Sequence, residues 1–517
     1  MGFAGGYLLK HASGQRLIRE DPDPGLNLIV IIPCYNESGL QKSLDSLFLC
    51  NTSGIKAEII IFINASENSP QDILNQNNET YQNTAEWIND HPHKALRFHL
   101  IIDNALPGKD AGVGLARKTL MDEAVRRFNM LDKPDGIILS MDADTLVETD
   151  YLVNIDAHFR ANPKSDGCSI YFEHPIDGSE FSNEVYSAIA SYELHLRYYV
   201  WSTAYTGYPH AFHTVGSCFG VRALRYCQQG GMNKRTGGED FYFIQKVAQN
   251  GRFTNCTSTR IKPSPRPSDR IPFGTGPAVS RMLENPGQAF MTNNPESFLI
   301  LGSFFRSVKQ HYEMDSEKDA ERDSERDSER DSERDSERDS ERDSERDSDL
   351  SDYNPDRYGI HPILKDYLID INFTDALTEI RSNSASLQTF MKRFWRYFNM
   401  FRILKFLHFA RDNGIPDIPV QDAATILLTK MNIGSKVSGN PGSEVSGDLE
   451  SEETGNLGSE VSGNLESEVS GNLGSKVSGN LESEETGNLG NELSGDLVEL
   501  LKLYRKLDRG IIYYPLQ

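Results

Sequence analysis

Ser140-Met141-Asp142-Ala143-Asp144 ends an apolar run that starts at Gly136, and it sets two carboxylates one residue apart. Gly136 to Leu139 reads as a buried strand. Along an extended chain, residues i and i+2 point the same way. Asp142 and Asp144 are therefore expected to face one ligand together. Paired carboxylates attract a hard divalent cation, and Mg²⁺ usually takes phosphate oxygens as well. The step reads as a holder of metal and nucleotide diphosphate. An acid after a strand is also ordinary turn chemistry, so the neighbouring sequence has to decide.

Upstream, strand and helix patterns alternate. Leu28 to Ile32 is a continuous β-branched run, as a strand buried on both faces would be. Leu40, Leu44, Leu47 and Phe48 recur at helical spacing. Glu58–Ile63 and Arg97–Ile102 predict further strands. Ser69–Asp90 and Ala111–Phe128 predict helices. This order predicts an α/β domain with a mostly parallel central sheet flanked by helices. Such sheets bind ligands at the carboxyl ends of their strands. Three of those ends are unusually polar: Pro33-Cys34-Tyr35-Asn36-Glu37, Asn64-Ala65-Ser66-Glu67, and the Asp142/Asp144 step.

Downstream, Cys168–Phe172 predicts a strand and Asn183–Val200 a helix. The aromatics between Tyr192 and Phe212 suit either sugar-ring platforms or packing of a helix onto the sheet. His213 to Gly220 follows, then Gly230-Gly231-Met232. Gly237-Gly238-Glu239-Asp240 reads as a flexible loop entering a helix. Its acids suit simple capping of a helix N-terminus. Lys262–Pro277 is a loop rich in Pro, Gly, Ser and Arg. Arg266 and Arg270 in it are candidate phosphate grips. Within Gly108 to Arg117, Lys109 and Arg117 are candidates to neutralise phosphate beside helix N-terminal amides. There is no Gly-x-x-x-x-Gly-Lys-Ser/Thr loop, and Gly112-x-Gly114 lacks the third glycine of a dinucleotide fingerprint.

The net charge of −23 is mostly the work of two tracts. Glu-Arg-Asp-Ser occurs seven times from Glu321 to Ser348, each copy carrying −1. An eight-residue repeat from Gly434 to Leu497 holds thirteen acids and two lysines. Together they supply −18 of the −23. The rest is near neutral, and nucleic-acid binding has no basic stripe behind it. The repeats read as solvated, coreless segments, the first as a linker with some helical tendency. Phe390–Ala410, Gln421–Lys430 and Leu497–Leu507 predict amphipathic helices, so a mainly helical C-terminal region is interrupted by low-complexity repeats. The six cysteines form no Cys-x-x-Cys pair. That suits a reduced, cytoplasmic setting rather than a disulfide frame. No apolar run nears the roughly 20 residues of a membrane span, while peripheral membrane contact stays open.

Taken jointly, Ile31 to Glu37, Gly108 to Arg117, Ser140 to Asp144 with Asp150-Tyr151-Leu152, and Gly230 through Asp240 resemble glycosyltransferase family 2 over roughly residues 27–255. These are inverting, nucleotide-sugar-dependent enzymes with the GT-A fold. The resemblance implies that Asp142 and Asp144 bind Mn²⁺ or Mg²⁺ and the donor diphosphate, and that Asp240, or else Glu239, is the general base. It implies that the donor lies against Pro33, Tyr35, Asn36 and Glu37, with Asn64 and Ser66 near the base. Lys109, Arg117, Arg266 and Arg270 would then meet the diphosphate. The acceptor would be a carbohydrate or lipid-linked sugar, in polysaccharide or glycoconjugate synthesis. The family's acidic turn after the second strand is replaced by Ile63-Asn64-Ala65-Ser66, and no histidine follows Asp240 until His311. The expected organisation is a lead-in over 1–25, a GT-A domain over 26–312, a linker over 313–352 and a helical region over 353–433. The octad insertion covers 434–497, and 498–517 forms a terminal helix of the helical region. Two other readings compete: a sugar nucleotidyltransferase-like enzyme, which would want a Gly-rich loop after the first strand, and a non-catalytic GT-A-like interaction protein.

Overall fold

The computed structural model describes residues 2–12, 16–108, 111–235, 237–270, 274–332, 360–433 and 497–512, with 314–332 described by backbone alone. The expectations for Lys109, the later Glu-Arg-Asp-Ser copies and the octad tract lie outside these residues. The chain divides into two units, 1–424 together with 497–517, and 425–496. Of the second unit, only residues 425–433 are described, and they hold the end of a helix.

Eight strands make one sheet: β1 (Leu28–Cys34), β2 (Ala57–Ser66), β3 (Leu96–Leu106), β4 (Ile137–Ser140), β5 (Leu146–Val147), β6 (Gly167–Phe172), β7 (Phe219–Arg222) and β8 (Phe253–Lys262). Their order is β3-β2-β1-β4-β7-β6-β8-β5. β3, β2, β1 and β4 run parallel, as do β6 and β8. β7 is antiparallel to β4 and β6, and β5 to β8. The sheet helices are α1 (Gly5–Lys10), α2 (Leu40–Phe48), α3 (Gln71–Asp90), α4 (Val113–Met130), α5 (Tyr151–Ala161), α6 (Asn183–Tyr205), α7 (Ala223–Gln228), α8 (Glu239–Ala248) and α9 (Thr275–Glu284). The architecture is thus a mixed α/β, GT-A-like sheet flanked by helices and followed by a helical C-terminal region.

Why β1 reads as continuously apolar is now visible. Leu28, Val30 and Ile32 pack into the same core as Leu44 of α2 and Leu152 of α5. Ile29 and Ile31 pack on the other face with Leu120 of α4 and Ile244 of α8. Both faces are covered, so no position is left for a polar residue. Burying one such side chain contributes about 1.5–3 kcal/mol, which fixes the strand at the centre of the sheet.

The C-terminal helices are α10 (Pro295–Ser332), α11 (Pro362–Asp370), α12 (Phe373–Ser382), α13 (Leu387–Tyr397), α14 (Met400–Asp412), α15 (Val420–Lys430) and α16 (Leu497–Asp508). A short pair, β9 (Met291–Thr292) and β10 (Ile418–Pro419), ties the region together. The single helix expected over Phe390–Ala410 is two helices. The chain breaks at Phe398–Asn399, where the Asn399 side chain accepts from Phe401 N at 3.1 Å and Arg402 N at 3.3 Å. The apolar spacing runs through the break, so periodicity alone could not find it. Phe394 and Phe398 pack on Phe304 and Phe305 of α10.

α16, after the octad tract, docks on α6 of the sheet domain. Arg505 Nε donates to Glu193 at 2.7 Å. Asp508 pairs with Arg197 and accepts from Trp201 Nε1 at 2.6 Å, with His213 Nε2 at 2.9 Å. The aromatics of this region therefore serve packing: Tyr198 is fully buried and donates to Asn293 O at 2.7 Å.

Candidate functional site

In the sheet register, Ile31 is level with Ser140, and Cys34 with Ile63. The carboxyl ends of β1, β2 and β4 therefore share one edge, and the three polar segments meet there. Asn36 turns the chain with φ +50°, a conformation asparagine tolerates better than most residues. Asn77 of α3 accepts from Asn36 N at 2.9 Å, and Thr80 donates to Glu37 O at 2.8 Å. The Pro33–Glu37 turn is thus pinned from α3. Asn64 and Ser66, expected beside the nucleotide base, are tied to backbone. Asn64 Nδ2 donates to Cys34 O at 3.0 Å, and Ser66 Oγ accepts from Asn68 N at 3.1 Å.

A run of carboxylates and guanidiniums crosses this edge. Arg117, in the first turns of α4, is almost fully buried and bridges two acids. One terminal nitrogen donates to Asp142 at 2.7 Å and the other pairs with Glu239. Arg117 was expected at the donor phosphates. Its charge is instead committed to carboxylates, and it joins the β4 step to the start of α8. Gly238 enters α8 with φ +69°, a left-handed turn that favours glycine. Glu239 and Asp240 then occupy the first turn, where helix amides favour negative charge. Glu239 is buried, while Asp240 is half-buried and reachable. Gly216 closes the wall: a Cβ there would lie 2.7 Å from Asp240 Oδ2 and 3.0 Å from both terminal nitrogens of Arg117. The sequence singled out His213–Gly220 but gave it no role, since only the fold brings Gly216 beside Asp240.

The loop after β8 crosses the same edge. Arg266 pairs with Glu37 and reaches Asp144 at 3.2 Å. Arg270 donates to Tyr35 O at 2.7 Å and lies 3.4 Å from Glu37. Glu37, expected against the nucleotide, is buried and works as the anchor of this arginine loop. Burial pushes its carboxyl up, but the Arg266 hydrogen bonds and Gly39 N–H outweigh this and hold it below the usual range. Asp144 is pushed up to about 6, first by burial and then by the charges of Asp142 and Glu37. Burial also raises Glu239 and Asp240, with Arg117 opposing in each.

Among the described residues, no cluster of three or more His, Cys, Asp or Glu side chains is gathered as a ready cation site. The donor set nevertheless fits a hard divalent ion. Asp142 and Asp144 keep 40% and 32% of their side-chain surface exposed. The Asp142 and Glu37 charges that add to burial in raising Asp144 are what such an ion relieves. Water and diphosphate oxygens ordinarily complete such a shell.

No family model and no curated protein matches the sequence. Among solved structures, the chain is similar to S. aureus TarS 1-349, at 14% identity and TM-score 0.29, over 46% of this chain and 60% of that one. The complex of TarS 1-349 with UDP-GlcNAc overlaps over 55% of this chain and 72% of that one, at 14% identity and TM-score 0.32. The mannosyltransferase PcManGT from Pyrobaculum calidifontis, in complex with GDP-Man and Mn2+, overlaps at 19% identity and TM-score 0.28, over 50% of this chain and 61% of that one. The chain thus spans 60% of the length of the first of these structures.

Proposed function

We propose that this protein is a family 2-like glycosyltransferase, moving a hexose-type sugar from a nucleotide-sugar donor to an acceptor hydroxyl with inversion. The observation that carries the reading is the meeting of Asp142, Asp144, Arg117 and Asp240 at the carboxyl edge of the parallel strands. Asp142 and Asp144 would hold Mn²⁺ or Mg²⁺. When bound, the ion offsets charge that grows on the departing diphosphate. Arg266, which reaches Asp144, and Arg270 beside it would meet phosphate oxygens bound at these acids. The half-buried Asp240, rather than the buried and arginine-paired Glu239, takes the acceptor's proton. Its raised affinity for a proton suits a base. As the acceptor oxygen bonds to the anomeric carbon from Asp240's side, the carbon–oxygen bond to the diphosphate breaks on the other, through an oxocarbenium-like state. The sugar is inverted, and the nucleoside diphosphate leaves with the bonding electrons.

The test is release of nucleoside diphosphate from a panel of UDP- and GDP-sugars with Mn²⁺ or Mg²⁺ added, and its arrest by chelator. At least one donor should turn over, and Asp142→Ala should abolish that turnover. Asp240→Asn should lower transfer by about 10²–10⁴-fold while donor binding persists. A variant that transfers sugar at the parent rate would remove Asp240 as the base.

A further inference from the structure

Between Arg381 and Arg411 the chain carries seven Lys and Arg and no Asp or Glu, in a protein of net charge −23. The fold sorts these charges. On α13, Phe390 and Phe394 are buried, while Lys392, Arg393 and Arg396 are exposed. On α14, Ile403, Phe406 and Leu407 are buried and Lys405 is exposed. Arg402 holds the corner between the helices: its guanidinium lies 3.7 Å from the Tyr397 ring centre, and Nη1 donates to Tyr397 O at 2.5 Å. Among the described residues, none of Lys392, Arg393, Arg396, Arg402 and Lys405 has a carboxylate within 4.0 Å.

A cavity of about 380 Å³ opens at this corner, lined by Asn372, Asn399, Phe401, Arg402 and Lys405, with one acid, Asp370. Phe401 leads from the cavity to α8. Its ring stacks on Tyr242 at 4.4 Å and meets Phe241 edge-on at 5.1 Å. Those two residues directly follow Asp240 in α8. A cavity whose aromatic wall packs on the helix that carries Asp240, with amide groups and cations that no carboxylate of the described residues pairs, has the chemistry of a site for a charged saccharide.

We propose that the α13–α14 corner is an acceptor subsite for a saccharide chain bearing anionic groups, carboxylate or phosphate. The proposal rests on the glycosyltransferase reading for the word acceptor, but the binding it asserts stands alone. Phe401 supplies the ring platform and Arg402 and Lys405 the first counter-charges. Lys392, Arg393 and Arg396 extend the basic face along α13. A lipid surface fits less well. Membrane-lying helices present large apolar side chains between their cations, and the exposed large hydrophobics of the described residues include none from α13 or α14.

The experiment measures binding of fluorescent oligogalacturonate, phosphorylated maltodextrin and neutral maltodextrin of equal length to the full chain. Vesicles of phosphatidylglycerol form a fourth arm. One charged oligosaccharide should bind, more weakly as salt rises, while the neutral one binds poorly. Lys405→Glu, and separately Lys392→Glu with Arg393→Glu, should each weaken that binding by at least about tenfold, with the melting temperature unchanged. Equal binding of charged and neutral chains overturns the proposal, as does binding untouched by the charge reversals. Binding to the vesicles alone overturns it too. So does binding that appears only after deletion of Glu321–Ser348, which would assign the face to the chain's own acidic tract. A chain that turns over donor yet binds neither charged oligosaccharide loses this inference alone. A chain that binds them but transfers no sugar loses only the catalytic reading.

Discussion

Gly216 offers a sharp test of the site at the scale of one residue. No catalytic chemistry belongs to a glycine, yet an added Cβ would crowd Asp240 Oδ2 and the pinned guanidinium of Arg117 together. Arg117 cannot retreat, because both its terminal nitrogens are held by carboxylates. Asp240 must give way. Gly216→Ala is therefore expected to lower kcat by about 10²-fold, the cost of a misplacement near 1 Å, with donor KM and melting temperature little changed. A rate within twofold of the parent would place the working carboxylate elsewhere. The sequence made part of this site legible. The position of the Asp142/Asp144 step after a strand was legible. But β4 ends at Ser140, and Ala143–Asp144 form a turn closed by Thr145 N donating to Asp142 O at 3.2 Å, so the strand alternation expected to align the two acids does not reach them. Asp240 could be singled out because two glycines before two acids mark a loop entering a helix. What stayed hidden was the identity of each ion-pair partner. Arg117 and Glu239 are 122 positions apart in sequence, and no local pattern distinguishes a guanidinium aimed at phosphate from one aimed at a carboxylate.

At the scale of elements, α16 is the informative case. Its amphipathic spacing was legible, but its docking place was not, since the helix follows the octad tract and says nothing of where it lands. The structure seats it on α6 through a buried network of Glu193, Arg197, Arg505, His213 and Asp508. Removing one member of a buried pair leaves the other charged and unsatisfied, at a cost of about 3–5 kcal/mol. Asp508→Ala, which strands Arg197, should destabilise the protein by that order in urea unfolding. A loss under about 1 kcal/mol, the usual worth of an exposed pair, would show the network to be open to water. The same network sets an acid limit. Burial pushes Glu193 and Asp508 up, but their arginine and histidine neighbours outweigh it and hold both below their ordinary values. Groups depressed in the folded state contribute stability above their unfolded pKa and lose it as pH falls through the folded one. The melting temperature should therefore hold down to about pH 5 and fall steeply below about pH 4. In Asp508→Ala the fall should be shallower, because one of the groups that takes up a proton is gone.

Over the whole molecule, the fold's core is contained in short β–α units, each with its own apolar period, and that is why the α/β class could be read before any contact was known. The helical break at Asn399 could not, because the Phe394, Phe398, Phe401, Leu404 spacing continues across it. The charge repeats pose the opposite question: they are conspicuous in sequence, and the chemistry can be asked to proceed without them. Seven Glu-Arg-Asp-Ser copies carry a net −7, in a composition that has no apolar residue to bury and so adds nothing to a core. Every residue assigned to donor binding and to the chemical step lies before Thr275. At ordinary ionic strength, salt weakens the field of any solvated charge at the site. Deleting Glu321–Ser348 should therefore leave donor turnover within about twofold of the parent at 0.1 M salt. The expected change lies in salt dependence. With the tract gone, an anionic acceptor meets less long-range repulsion, so its KM at low ionic strength should fall while kcat holds. A large loss of kcat would mean that the repeats position the C-terminal helices, and through the Phe401–Tyr242 stack, the helix that carries Asp240.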